Sequence, residues 1–77
     1  MKTNLTDIRV GHTGYVAALN TQGSMRRRLQ DIGLTDGARV TCLFENPAGD
    51  PRAYLIRGAV IALRAEDAQT VATCRIS

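Results

Sequence analysis

Few residues in this 77-residue chain could do chemistry. They are His12, Cys42, Cys74, Ser24, Ser77 and separated carboxylates such as Asp31, Asp36, Asp50, Glu66 and Asp67. A nucleophile needs a positioned base, and the single histidine stands in a glycine-rich stretch with no serine or cysteine near it. Ser24 suits a helix cap, and neither serine lies in a GxSxG or SxxK setting. The carboxylates fall at helix ends and turns, where capping and turn-making account for them. Four-coordinate zinc wants four ligands with two closely paired. His12, Cys42 and Cys74 lie in three separate segments without a CxxC pair, so two buried free thiols and a solvated loop histidine are expected. Gly11-His12-Thr13-Gly14 lacks the GxxxxGK[ST] of a phosphate loop and reads as a turn leading into a strand. No catalytic set, no metal site, no cofactor and no small-molecule substrate are expected, and the reading is a non-enzyme.

The remaining chemical feature is Arg26-Arg27-Arg28. It reads either as the solvated face of a helix, with Arg27 and Asp31 as an i,i+4 pair, or as a contact patch for acidic or phosphorylated partners. The charge is +3, ten cations against seven anions, and nine of the ten cations are arginine. Arginine offers a planar, bidentate fork where lysine is a mobile point charge. The triplet's place at the start of a helix opposes the helix dipole, which favours a contact role for Arg26 and Arg27.

These residues need a scaffold. The length fits one domain, residues 1–77, with a thin margin because a chain this small buries only roughly 60% of its unfolded surface. Apolar residues make up 44% and aromatics 4%, the latter being Tyr15, Phe44 and Tyr54. Valine, isoleucine, leucine and alanine must therefore form the core, with two or more of the aromatics among them. No run approaches the ~20 apolar residues of a membrane helix, and the N-terminus has no signal-peptide pattern. A cytosolic location without membrane insertion is expected.

Glycines and Pro47 and Pro51 punctuate short runs, as in a small barrel or sandwich. Five strands are expected at Tyr15–Leu19, Val40–Phe44, Ala53–Arg57, Ala59–Leu63 and Val71–Ile76, with the fifth closing the barrel. Alternation puts Val40, Cys42 and Phe44 on one face. With Tyr54, Ile56, Ile61 and Leu63 inward, Ala53, Leu55, Val60 and Ala62 face out, and Leu55 and Val60 become a second candidate contact patch. The loop Asn46–Pro51 turns at Gly49, and Gly58 makes the next turn. One helix lies between the first two strands, with Ser24 as N-cap, Met25, Leu29 and Ile32 as its apolar stripe, and a Schellman stop at Gly33 and Leu34 ahead of Gly37. A short helical turn at Ala65–Ala68 precedes the last strand, with Ala68 and Val71 inward.

In this order, the pieces Leu5-Thr6-Asp7-Ile8, Gly11, Gly14 and Val16, Arg27–Leu34 with Gly37, Asn46–Pro51, Arg57-Gly58, Ala62-Leu63-Arg64 and Asp67-Ala68 resemble the FeoA family. The resemblance runs from about Leu5 to Val71. It implies an SH3-like barrel in the bacterial cytosol and an accessory role in ferrous iron uptake. The implied partner is FeoB, a membrane transporter with a cytosolic G-protein domain, which could recruit the chain to the membrane's inner face. An arginine finger from Arg26 or Arg27 would be one way to influence nucleotide hydrolysis there. Cys42 and Leu55 depart from the β-branched and polar residues expected at their strand positions. Two alternatives remain. One is the SH3-like C-terminal domain of metal-dependent repressors, although a chain starting at Met1 leaves no room for a preceding DNA-reading helix pair. The other is a nucleic-acid-binding barrel, which stacks bases on exposed aromatics beside a basic groove. Titration with single-stranded RNA across a salt series is expected to show no binding at micromolar concentration; tight, salt-sensitive binding would contradict the protein-partner reading.

Overall fold

The period-two runs do pair into one sheet. The computed structural model describes residues 3–76, so Ser77 lies outside the described residues. Its strands are β1 (Thr3–Asn4), β2 (Thr13–Leu19), β3 (Arg39–Glu45), β4 (Arg52–Ile56), β5 (Ala59–Leu63) and β6 (Val71–Cys74). They form an antiparallel sheet in the order β1-β6-β2-β3-β4-β5. Helix α1 (Gly23–Asp31) joins β2 to β3, and helix α2 (Ala65–Ala68) precedes β6. Valine, isoleucine and leucine carry the core, with Leu5, Ile8, Leu34, Val40, Ile56 and Val71 all fully buried. Ala68 is buried beside them, as its expected inward position requires.

The sheet has six strands where five are expected. The extra one, β1, is two residues long, too short to show a period, and pairs Thr3 with Thr73 and Asn4 with Ala72. It leads into a 3-10 turn at Leu5–Asp7 with a reciprocal cap: Asn4 Oδ1 accepts from the Thr6 amide and Asp7 Oδ2 accepts from the Asn4 amide. Such mutual capping satisfies donors that a helix start would otherwise leave open. The turn sinks Leu5 and Ile8 into the core, and β4 holds it there. Arg52 Nη1 donates to the carbonyls of Thr6 and Ile8 at 3.0 and 3.3 Å, and Tyr54 Oη to that of Leu5 at 3.4 Å. Gly14 is buried, and a Cβ there would stand 2.9 Å from Ile8 Cδ1.

One residue reverses an expected face. Cys42 opposes Tyr54 and Phe44 opposes Ala53, so Leu43 is an extra residue in β3. A bulge of this kind flips every later side chain to the other side of the sheet. Val40 and Cys42 are buried as expected, but Phe44 is 59% exposed. Tyr15 is half-buried, leaving Tyr54 as the fully buried aromatic instead of the two or more expected. Ala53, expected to face solvent, is buried between its cross-strand partners Phe44 and Ala62.

The helix begins two residues earlier than expected. Gln22 holds the cap position without a capping side-chain bond, and Ser24 falls inside the first turn rather than at the N-cap. The Schellman stop forms as read: the amides of Leu34 and Gly33 donate to the carbonyls of Leu29 and Gln30, each at 3.0 Å, with Gly33 at φ +106°. Gly37 and Gly49 sit in the turns assigned to them. Helix α2 receives its cap from elsewhere, since Asp50 Oδ1 accepts from the Ala65 amide at 2.8 Å.

The end of α1 is also where a second element docks. Arg57 and Gly58 form the two-residue turn between β4 and β5, both at positive φ as a primed hairpin turn requires. Arg57 Nε donates to the Gly33 carbonyl at 3.2 Å and its Nη2 to Thr35 Oγ1 at 2.9 Å. A Cβ on Gly33 would lie 2.5 Å from Arg57 Cδ. Gly33→Ala is therefore expected to cost about 1–3 kcal/mol in urea unfolding, and Gly37→Ala, with open space around it, about 1 kcal/mol. In an Arg57→Ala background the two penalties should converge; an undiminished Gly33→Ala penalty would contradict the packing account.

Candidate functional site

The polar residues read as candidates for chemistry stay apart. Among the described residues, no three of histidine, cysteine, aspartate and glutamate come together in a metal-binding group. Both cysteines are free. Cys42 is buried as expected, whereas Cys74, expected to be buried too, is exposed at the end of β6. Strand β6 stops two residues short of its expected end, and Arg75 takes a positive φ.

Burial pushes the Cys42 thiol above its ordinary 9.0, with Arg52 opposing and Glu45 adding to the rise. Burial likewise raises Tyr54 above 10.0, with Cys42 contributing and Arg52 opposing. Arg52 meets Glu45 in an ion pair, Nε to Oε2 at 3.3 Å. Both raised groups are neutral when protonated, and the unfolded chain loses these protons first. Stability is therefore fully present below the unfolded values and falls as pH rises through the raised ones. The urea midpoint is expected to hold up to about pH 9 and to drop as pH rises above it, and less steeply in Cys42→Val. A thiol reagent should label Cys74 at once and Cys42 only on unfolding; equal labelling would contradict the burial.

The arginines of α1 divide by use. Arg26, Arg27 and Arg28 are all exposed. The Arg26 guanidinium is engaged, with Nη1 donating to the Leu19 carbonyl and, at 3.5 Å, to that of Thr21. That bond ties the start of α1 to the end of β2. The i,i+4 pair of Arg27 with Asp31 does not form among the described residues, so the Arg27 guanidinium is open to solvent. The apolar stripe behaves as read, with Leu29 buried and Met25 and Ile32 half-buried against the core.

On the outer side of the sheet, Leu55 and Val60 are direct cross-strand partners, 37% and 57% exposed. The bulge in β3 adds Phe44, opposite Ala53, to this face, a contribution that alternation alone assigns to the core. Arg39, Thr41 and Arg57 line a shallow cavity beside Leu55, so the apolar patch has a cationic margin. Apolar centres with polar, arginine-bearing rims are the usual anatomy of protein interfaces. The structure thus brings Leu55 and Val60 together on one face, while Arg26 and Arg27 stand on α1.

Residues 3–72 match the FeoA domain family. A comparison with curated proteins finds no match. Among solved structures, the FeoA protein of Chlorobium tepidum is similar with a TM-score of 0.86 and 28% identity, over 92% of this chain and 68% of that one. The FeoA of Stenotrophomonas maltophilia in complex with zinc, a prokaryotic SH3-domain protein, gives 0.84 and 21% over 94% and 89%. A manganese-dependent transcriptional repressor gives 0.82 and 24%, over 95% of this chain but 40% of its own, a likeness of fold. The fold is accordingly SH3-like, with six strands in place of five, and the chain belongs to the FeoA domain family.

Proposed function

We propose that this protein is a cytosolic accessory factor of bacterial ferrous iron uptake that works by docking on the cytosolic part of an FeoB-type membrane transporter. Family membership over residues 3–72 carries the reading. The Stenotrophomonas relative is described as a candidate activating factor of ferrous iron transport, in keeping with an accessory role. Binding rather than catalysis also suits the surface. Among the described residues no helix is long and apolar enough to cross a membrane, and two exposed patches of interface character stand on α1 and on β4–β5.

Of the two arginines nominated for contact, Arg27 is the better candidate, because the Arg26 guanidinium already serves the Leu19 carbonyl. The Leu55–Val60 face supplies the desolvated centre that an arginine on a rim cannot. Calorimetric titration of the purified chain against the cytosolic G-protein domain of its transporter is expected to show micromolar binding. Arg27→Glu and Leu55→Lys should each weaken it about tenfold or more, or 1.4 kcal/mol. Absence of binding with both GDP and a GTP analogue would overturn the proposal, and unchanged affinity in both variants would move the contact elsewhere.

A further inference from the structure

Among the described residues, strand β5 is the last in the sheet and pairs with β4 alone. A two-residue hairpin makes Ile56 and Ala59 a hydrogen-bonded pair, so antiparallel alternation turns the N–H and C=O groups of Val60 and Ala62 outward. Among the described residues, no turn or loop backbone bond reaches Ala59–Leu63. Natural edge strands are guarded by charge, proline, bulges or shortness. Ala59-Val60-Ile61-Ala62-Leu63 has five residues, no charge, no proline and an unbroken register.

Beside this edge runs a groove of about 300 Å³ between α1 and β5. Met25, Leu29 and Ile32 form one wall, Ile61 and Leu63 the other, and Arg28, Arg64 and Asp67 line it as well. Met25 and Ile32 are the half-buried members of the helix stripe, so the groove is where the core remains partly uncovered.

We propose that this edge and groove bind an extended, acidic segment of a partner protein as an added strand beside β5. The open backbone groups call for another backbone, and only an extended segment presents one in register. Alternate side chains of that segment would enter the groove, where the thioether of Met25 adapts to varied shapes. Two arginines against one aspartate give the lining a net positive charge, which selects a segment with flanking carboxylates. The same charge argues against a second copy of this chain, since edge-to-edge pairing would set one arginine-lined groove against another. The site is separate from Arg27, and its test does not need the transporter.

The probe is the capped octapeptide Glu-Glu-Val-Val-Leu-Val-Glu-Glu, titrated into the full chain by amide NMR. Shifts are expected along Ala59–Leu63 and Met25–Ile32, with amide exchange at Val60 and Ala62 slowed at least tenfold. The counterpart with lysine at the four glutamate positions should bind at least tenfold more weakly. Ala62→Pro removes an outward N–H that the hairpin does not use and should abolish binding with the fold intact. Should that variant fail to fold, the double variant Arg28→Glu, Arg64→Glu carries the test, because it should reverse the preference between the two peptides. Absence of shifts at millimolar peptide, equal affinity for both peptides, or slowed Val60 and Ala62 exchange in a concentration-dependent dimer without peptide would each overturn the proposal.

Discussion

The packing of Arg57 on the end of α1 is the junction on which both candidate surfaces depend. Its guanidinium meets the Gly33 carbonyl, its side chain occupies the space a Cβ would need, and its backbone makes the turn between β4 and β5. One residue thereby couples a helix end to a hairpin. The orientation of α1 follows, and with it the outward direction of Arg27 and the width of the groove beside β5. A cation at a helix C-terminus also complements the dipole there. In a domain this small, where total stability is a few kcal/mol, such a junction is a large share of the whole.

The preponderance of arginine over lysine has a structural side as well as a functional one. Arg26, Arg52 and Arg57 all donate to main-chain carbonyls: at the start of α1, along the 3-10 turn, and at the end of α1. The rigid guanidinium fork can reach two acceptors at once, as Arg57 does with Gly33 from Nε and Thr35 from Nη2, where a lysine would offer a point charge. These three staple loops to the sheet, leaving Arg27, Arg28, Arg39 and Arg64 available to partners. The division by hydrogen bonding is what turns a run of equivalent-looking cations into distinct roles.

Much of the fold was legible from local pattern. Period-two runs located β2 to β6, and the Schellman signal at Gly33 and the turn at Gly58 formed as read, although Arg57, expected at the end of the strand, belongs to that turn. What escaped has identifiable causes. β1 is too short to have a period. The bulge at Leu43 is set by pairing with β4, and no neighbouring residue marks it, so alternation alone places Phe44 on the wrong face. Ser24 is a good cap by type, but the tie from Arg26 to Leu19 holds the helix start without it. The contacts of Arg57 with Gly33, Asp50 with Ala65 and Tyr54 with Leu5 join distant segments, and residue types alone cannot pair them. Leu55 and Val60 face outward together as alternation expects, because an adjacent hairpin fixes their register, whereas the groove beside β5 needs the helix in place to exist.

The proposed contact surfaces of this protein lie on α1 and on the β4–β5 hairpin. Hydrogen exchange of the chain, alone and with the cytosolic domain of its transporter, tests that claim most directly. Protection is predicted to concentrate in residues 25–32 and 53–63, with β1, β2 and β6 unchanged. Protection confined to β1, β2 and β6, or none on adding the domain, would contradict it.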